Sequence, residues 1–341
     1  MNITSKLTRK TMLWLALSVV LGLPQASSVR AQSSAVVAPS AAARYDYAEP
    51  TDMKTAFSRA IEEAKAGTVL MAFDVDNTLL ATDQDLGSEQ WYEGEAKRLD
   101  SLAKSDPKLF MRRLNQLLDV NTAVSRLTTT RLTQTDIPGL VKLLPADVKV
   151  VAITSRGPAL VDPTTDGFRS NGLAFGSFFP GDIHYPASGH DVLCREGICL
   201  TAGANKGEAL VGFLNAVNYH PRAVIFVDND PTPVPPGPHD PNDPTKGKHH
   251  PRVKKWGTEA GIPVLVGYRY SKQDAAMDEY EAGTKAVAVA QLREFRKSGK
   301  LISNREASAL TASLPASKEA LAKQMSLLLY GVEAPGQPDP Q

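Results

Sequence analysis

The chain has 341 residues, 42% of them hydrophobic and 22% charged, which is ordinary for a globular protein with one large or two smaller domains. Its 38 basic and 37 acidic residues give a net charge of +1, so no strongly basic or acidic class is indicated. No internal repeat or heptad run is visible.

Residues 1–31 read as a secretory signal peptide. Lys6, Arg9 and Lys10 precede an uncharged apolar run, Met12–Leu23, and Val29-Arg30-Ala31 supplies small or branched residues for a signal peptidase. That run is shorter than the roughly 18 residues of a spanning helix, leaving a retained membrane anchor as the alternative. Cleavage removes four basic residues (Lys6, Arg9, Lys10, Arg30) and no acidic one, so +1 becomes −3. A mildly acidic mature chain argues against nucleic acid as a partner.

Residues 32–49 are rich in Ala, Ser and Val and read as a flexible leader to a domain over 50–331. A helix is predicted over Asp52–Ala66, with Met53, Phe57, Ala60, Ile61 and Ala64 on one face, Thr51 or Asp52 as cap and Gly67 as stop. Thr68–Phe73 is almost wholly apolar, and similar runs recur at Val150–Ile153, Ala223–Val227 and Pro263–Val266. Runs apolar on both faces suit central strands of a parallel sheet, and the helical patterns between them make the class α/β. Residues 83–137 interrupt the alternation as a mainly helical insertion, with Leu109, Phe110, Leu114, Leu117 and Leu118 facing one way. Within it, Trp91 and Tyr92 either stack on a substrate or are buried among the helices.

Cys194 and Cys199 are the only cysteines. Gly197 lets the chain turn back between them, so a disulfide stapling a flap over about 184–203 is preferred to two free thiols. Pro231–Pro251 is a polar, Pro-rich loop, in which His239, His249, His250 and the basic stretch from Lys246 to Lys255 are expected to be solvated. Beyond Tyr270 the pattern is helical, ending with Ser317–Tyr330 and a loose tail over 332–341.

The chemistry gathers at the strand ends, where open α/β sheets bind ligands. Asp74 and Asp76 close the first strand, two carboxylates that converge if the chain turns there. Close like charges call for a cation or a shared proton, and Mg²⁺ binding or nucleophilic attack on phosphorus fits either case. An Asx-type turn is the plain alternative. Thr154-Ser155-Arg156 closes the second strand, offering a hydroxyl and backbone N–H groups to a phosphate or a cap to a helix. Arg156 either reaches the pocket or makes an ion pair. Lys206 opens a helical pattern, and Asp228-Asn229-Asp230 closes the third strand.

Phe73–Leu80 (FDVDNTLL), Ile153–Arg156 (ITSR), Lys206 and Val227–Asp230 (VDND) resemble, in that order, the four motifs of the haloacid dehalogenase (HAD)-like phosphohydrolases. A finer resemblance rests on ANKGEAL, on GYRYS and on Ser298-Gly299-Lys300-Leu301-Ile302, and points to a secreted bacterial HAD-like family known as domain of unknown function 2608. The resemblance implies a Rossmann-like core with a helical cap over 83–137. It implies an exported, Mg²⁺-dependent phosphomonoester hydrolase, periplasmic or extracellular, acting on a small phosphorylated substrate. Asp74 would be nucleophile and metal ligand, and Asp76 general acid and base with its carbonyl toward the metal. Thr154, Ser155 and Lys206 would hold the phosphoryl oxygens, and Asp228 would complete the metal site. The chain departs from the family in placing Asn229 beside Asp228, which leaves Asp230 a supporting role. A non-catalytic binding protein on this scaffold and a broad class B-like acid phosphatase are the alternatives.

Overall fold

The computed structural model describes residues 43–230, 249–282 and 286–339; the expected signal peptide, His239 and Lys246 lie outside them. The first part of the chain forms β1 (Arg44–Ala48), α1 (Lys54–Ala64), β2 (Val69–Phe73), β3 (Leu80–Thr82), α2 (Glu89–Lys97), α3 (Asp100–Ser105) and α4 (Pro107–Ser125). Then come β4 (Thr130–Leu132), α5 (Ile137–Lys142), β5 (Val148–Thr154), α6 (Val161–Ser170), β6 (Asp182–Ala187), β7 (His190–Arg195) and β8 (Ile198–Leu200). The rest forms α7 (Lys206–Ala216), β9 (Ala223–Asp228), α8 (His249–Glu259), β10 (Val264–Arg269), α9 (Asp274–Ala282), α10 (Ala286–Ser298), α11 (Asn304–Leu310) and α12 (Lys318–Tyr330).

Eight strands form one sheet in the order β1-β10-β9-β2-β5-β8-β7-β6. From β1 to β8 every pairing is parallel, while β7 and β6 extend the sheet in antiparallel fashion. The apolar runs of the sequence become its centre. Along β2, Val69, Met71 and Phe73 pack on one face, and Leu70 and Ala72 on the other. The first face is covered by Phe57 of α1, Ile137 of α5 and Phe168 of α6; the second by Leu210 and Phe213 of α7 and Val253 of α8.

A third core lies within the helices. Trp91, Leu109, Leu117 and Val124 of the insertion pack with Ala288 and Leu292 of α10 and Leu321 and Met325 of α12. The insertion is therefore completed by the chain's last helices. The stem beneath it is the two-stranded pair β3–β4.

Several expectations change. The end of the supposed leader is β1, whose RYDYA sequence is too polar to read as a strand because it sits at the sheet edge and is half exposed. Residues 184–203 run from within β6 through β7 and β8, which extend the sheet, and Cys194–Cys199 is a disulfide between directly paired residues of β7 and β8. Ile61 and Leu118 face solvent, since α1 buries Ala56, Phe57 and Ala60, with Met53 just before it, and α4 buries Leu109, Leu117, Val120 and Val124. The tail is bound over its described length. The buried Arg113 donates to the Pro335 and Gln337 carbonyls at 3.2 and 2.8 Å and pairs with Asp339 at 2.7 Å.

Candidate active site

The chain leaves β2 in the middle of the sheet, builds outward to β5 and β8, then returns through α7 to add β9 on the other side of β2. This reversal makes the carboxyl ends of β2 and β9 a topological switch point, the place where open α/β sheets bind ligands. Asp74 follows β2 directly and Asp228 ends β9. Between them stands Lys206, the first residue of α7, whose Nζ is 2.6 Å from Asp74 Oδ1 and 2.8 Å from Asp228 Oδ2. All three are buried, so Lys206 is no solvated first-turn lysine.

Local sequence explains that position. Asn205 caps α7 by accepting from Gly207 N and Glu208 N, which aims the first-turn lysine into the crevice. A Cβ at Gly207 would stand 2.4 Å from the Arg252 carbonyl oxygen, so only glycine lets α7 lie this close to α8.

Two carboxylates share one ammonium here, and their proton affinities diverge. Burial works against the Asp228 carboxylate, but Lys206 and His249 outweigh it and hold it well below the usual range. Asp74 takes the opposite course: burial, with Asp228 and Asp76 nearby, pushes it up to about 7 against the pull of Lys206. Lys206 itself is raised, because its two carboxylates outweigh the cost of its burial.

Beyond Asp74 the chain turns sharply. Val75 O accepts from Thr78, Leu79 and Leu80, and Asn77 adopts the left-handed region at φ 53°. Asp76 thereby meets Arg156, which grips both its oxygens with Nε at 3.0 Å and Nη2 at 2.7 Å. The third corner of the guanidinium, Nη1, donates to Thr164 Oγ1 at 3.0 Å. Of the two possibilities for Arg156, the ion pair is the one found, and the residue also lines a cavity of about 590 Å³ between α4 and α6. Thr154 is buried and Ser155 exposed. Their loop is clamped from β8: Thr201 donates to Thr154 O through both N and Oγ1 at 2.9 Å, and Gly203 N donates to Ser155 O at 3.1 Å.

The structure adds Glu89, which the sequence did not single out, and places His249 differently from the expectation. Glu89, in the first turn of α2, accepts from Asn77 Nδ2 at 2.6 Å and from Asn229 Nδ2 at 3.1 Å. Burial, together with Asp74 and Asp76, raises its proton affinity. It comes from the helical insertion, and no local motif marks it. His249 stands 2.8 Å from Asp228 Oδ2 and 3.8 Å from Asp230 Oδ2, and His250 is buried between the rings of Tyr47 and Phe226. His250 is buried and His249 only partly exposed, because the segment after the Pro-rich loop is α8 packed on the sheet rather than free chain.

Trp91 does not reach the site; it is wholly buried in the helical core. Asn229 exchanges hydrogen bonds with Thr78 Oγ1 at 2.9 and 3.0 Å. Asp230 donates its N–H to Asp228 Oδ1 at 2.8 Å.

The profile of the family described as a protein of unknown function (DUF2608) matches residues 51–235, more than half of the chain. The chain belongs to the DUF2608 family. No curated protein and no solved structure matches it. The DUF2608 match spans α1 to the end of β9, so Asp74, Asp76, Glu89, Thr154, Arg156, Lys206 and Asp228 all fall within it, while His249 does not. Among the described residues, no three His, Cys, Asp or Glu side chains stand together as a ready metal cage, and no helix is long and apolar enough to cross a membrane.

Proposed function

We propose that the protein is a phosphomonoester hydrolase of HAD type in which Asp74 attacks phosphorus. The observation that carries this reading is the buried Asp74–Lys206–Asp228 group at the sheet's switch point, with Asp76 two residues from the nucleophile. Asp74 would form an aspartyl phosphate as the P–O bond to the leaving group breaks. Asp76 would protonate that leaving oxygen, then take a proton from the water that cleaves the intermediate. Lys206 and the Thr154–Ser155 loop would hold the phosphoryl oxygens, as positioning and charge neutralisation carry most phosphoryl-transfer catalysis.

The donor set suits Mg²⁺, which needs only one or two carboxylates beside water and phosphate oxygens. Asp74 and Asp228 with the Asp76 carbonyl would hold it, and bound there it supplies charge neutralisation for the phosphoryl group. The charge count favours a dication: Asp74, Asp76, Glu89 and Asp228 stand with the fixed cations Lys206 and Arg156, and burial, with the neighbouring carboxylates adding to it, makes Asp74 hold its proton more tightly. A nucleophile must be ionised, so a cation in this place also keeps Asp74 reactive.

We also infer that the mature protein is exported. The N-terminal 31 residues have signal-peptide character, and the disulfide suits an oxidising compartment.

One observation favours a second reading, a binding protein without turnover: Arg156 occupies both Asp76 oxygens and must release one before Asp76 can donate a proton. Hydrolysis of an aryl phosphate by the chain lacking residues 1–31 separates the readings. Release that requires Mg²⁺, stops with chelator and vanishes in Asp74→Asn is expected, since uncatalysed hydrolysis is slower by factors of up to about 10²¹. Activity retained by Asp74→Asn would refute the nucleophile assignment; phosphate binding without release would favour the binder. Activity confined to acidic pH on many substrates would point to a class B-like acid phosphatase.

A further inference from the structure

A cavity of about 470 Å³ begins at Asn77, the residue after Asp76, and runs between the β3–β4 stem, the start of α2 and α9. Its size is ordinary for a ligand pocket, but its lining is not, since such pockets are mostly apolar. Five side-chain amides face it: Asn77, Gln84, Gln90, Gln273 and Asn304. Arg131 adds a guanidinium. We propose that this cavity receives a hydroxyl-rich organic group, so that the substrate is a phosphorylated sugar or polyol. The proposal rests on the phosphohydrolase reading and names its substrate class.

Two of the amides are fixed walls. Gln84 Oε1 accepts from Thr129 N at 3.0 Å, and Asn304 exchanges hydrogen bonds with Asp85 at 2.8 and 2.9 Å. Asn77 is held by Glu89, while Gln90 and Gln273 have capacity to spare. Gln90 makes one long bond, 3.4 Å to Asn77 Oδ1, and the Gln273 amide makes none among the described residues. An amide both donates and accepts, and so does a hydroxyl, so a ring of amides matches a row of hydroxyls whatever their order. A nucleobase would instead need an aromatic or apolar plane to stack on. Among the described residues, Tyr280 is the one aromatic side chain on this wall, and Trp91 is turned into the helical core.

The position fits as well. The general acid must face the ester oxygen, and the organic group is attached to that oxygen. The cavity starts one residue beyond Asp76, at a residue held in the left-handed region and fixed to Glu89 at 2.6 Å. Its amide is thereby aimed by the same turn that presents Asp76.

The test compares kcat/KM for a hexose 6-phosphate, a nucleoside 5′-monophosphate and an aryl phosphate, with Mg²⁺, in the wild type and in Gln90→Leu and Gln273→Leu. The hexose phosphate is expected to exceed the nucleotide by about 100-fold, because the nucleotide offers fewer hydroxyls to the amides and sets a bulky base against a polar lining. Each variant is expected to lower the hexose-to-aryl phosphate ratio about tenfold, through KM more than kcat. Turnover of the aryl phosphate with the nucleotide preferred, or with both ratios unmoved, overturns the substrate class and leaves the phosphohydrolase reading standing. No release from any of the three overturns both.

Discussion

Removing the Lys206 ammonium would leave Asp74 and Asp228 facing each other in a buried crevice with no cation between them. Breaking a buried ion pair by deleting one partner costs about 3–5 kcal/mol, so Lys206→Met is expected to lower the urea midpoint markedly, and Mg²⁺ to restore part of the loss. An unchanged midpoint would mean that the two carboxylates do not depend on this cation. The same group sets a pH dependence. The Asp74 proton affinity is raised in the fold, so its contribution to stability is fully present below 3.8 and is lost as pH climbs toward about 7. Asp228 is held low and acts in the opposite sense, its contribution being present above 3.8 and lost on acidification. Metal-free wild type is therefore expected to lose stability between pH 3.8 and about 7 more steeply than Asp74→Asn. Parallel curves for the two proteins would place the titrating group elsewhere. At this scale the sequence was informative about acids at strand ends and poor about histidines. Asp74 and Asp228 could be found because apolar runs lead straight into them, whereas the composition of the Pro-rich loop hid His249 and His250.

Helices α7 and α8 meet through a glycine, and this contact places both Lys206 and His249. Gly207→Ala would drive a methyl group into the backbone of α8, at 2.4 Å from the Arg252 carbonyl oxygen. Overpacking of this kind costs about 1–3 kcal/mol, and backbone cannot move aside as a side chain does. Gly139 of α5 is the contrasting case: nothing lies within 4 Å of its added Cβ. Gly139→Ala is expected to be neutral or to stabilise by about 0.4–1 kcal/mol, through the less flexible unfolded chain. Equal unfolding midpoints for the two variants would show that the α7–α8 approach is not tight. The elements themselves were unevenly legible. The strands β2, β5, β9 and β10 declare themselves because both their faces are buried. Three-residue β8 is too short for any period, and β6 and β7 carry the mixed polarity of strands far from the centre. Their cysteines could suggest a staple but not the sheet that holds it.

Across the whole molecule, the crevice is assembled from distant parts of the chain, and this is why Glu89 was not legible. Its place depends on α2 standing over the strand ends, which depends on the core that the insertion shares with α10 and α12. No local pattern encodes that long-range packing. The far edge of the sheet has the same character. Polar β1 pairs with β10 along five residues, and Arg44 and Asp46 tie it to α1 through Glu63 at 2.8 Å and Arg59 at 2.6 Å. Without β1, the edge of β10 would present unpaired N–H and C=O groups beside an apolar strand, a template for pairing between molecules. A chain beginning at residue 50 is therefore expected to unfold at lower urea and to self-associate in light scattering, whereas one beginning at residue 43 keeps the strand and stays dispersed. Identical behaviour of the two would mean that β1 adds nothing to the edge it covers, and that the domain is complete from α1 onward.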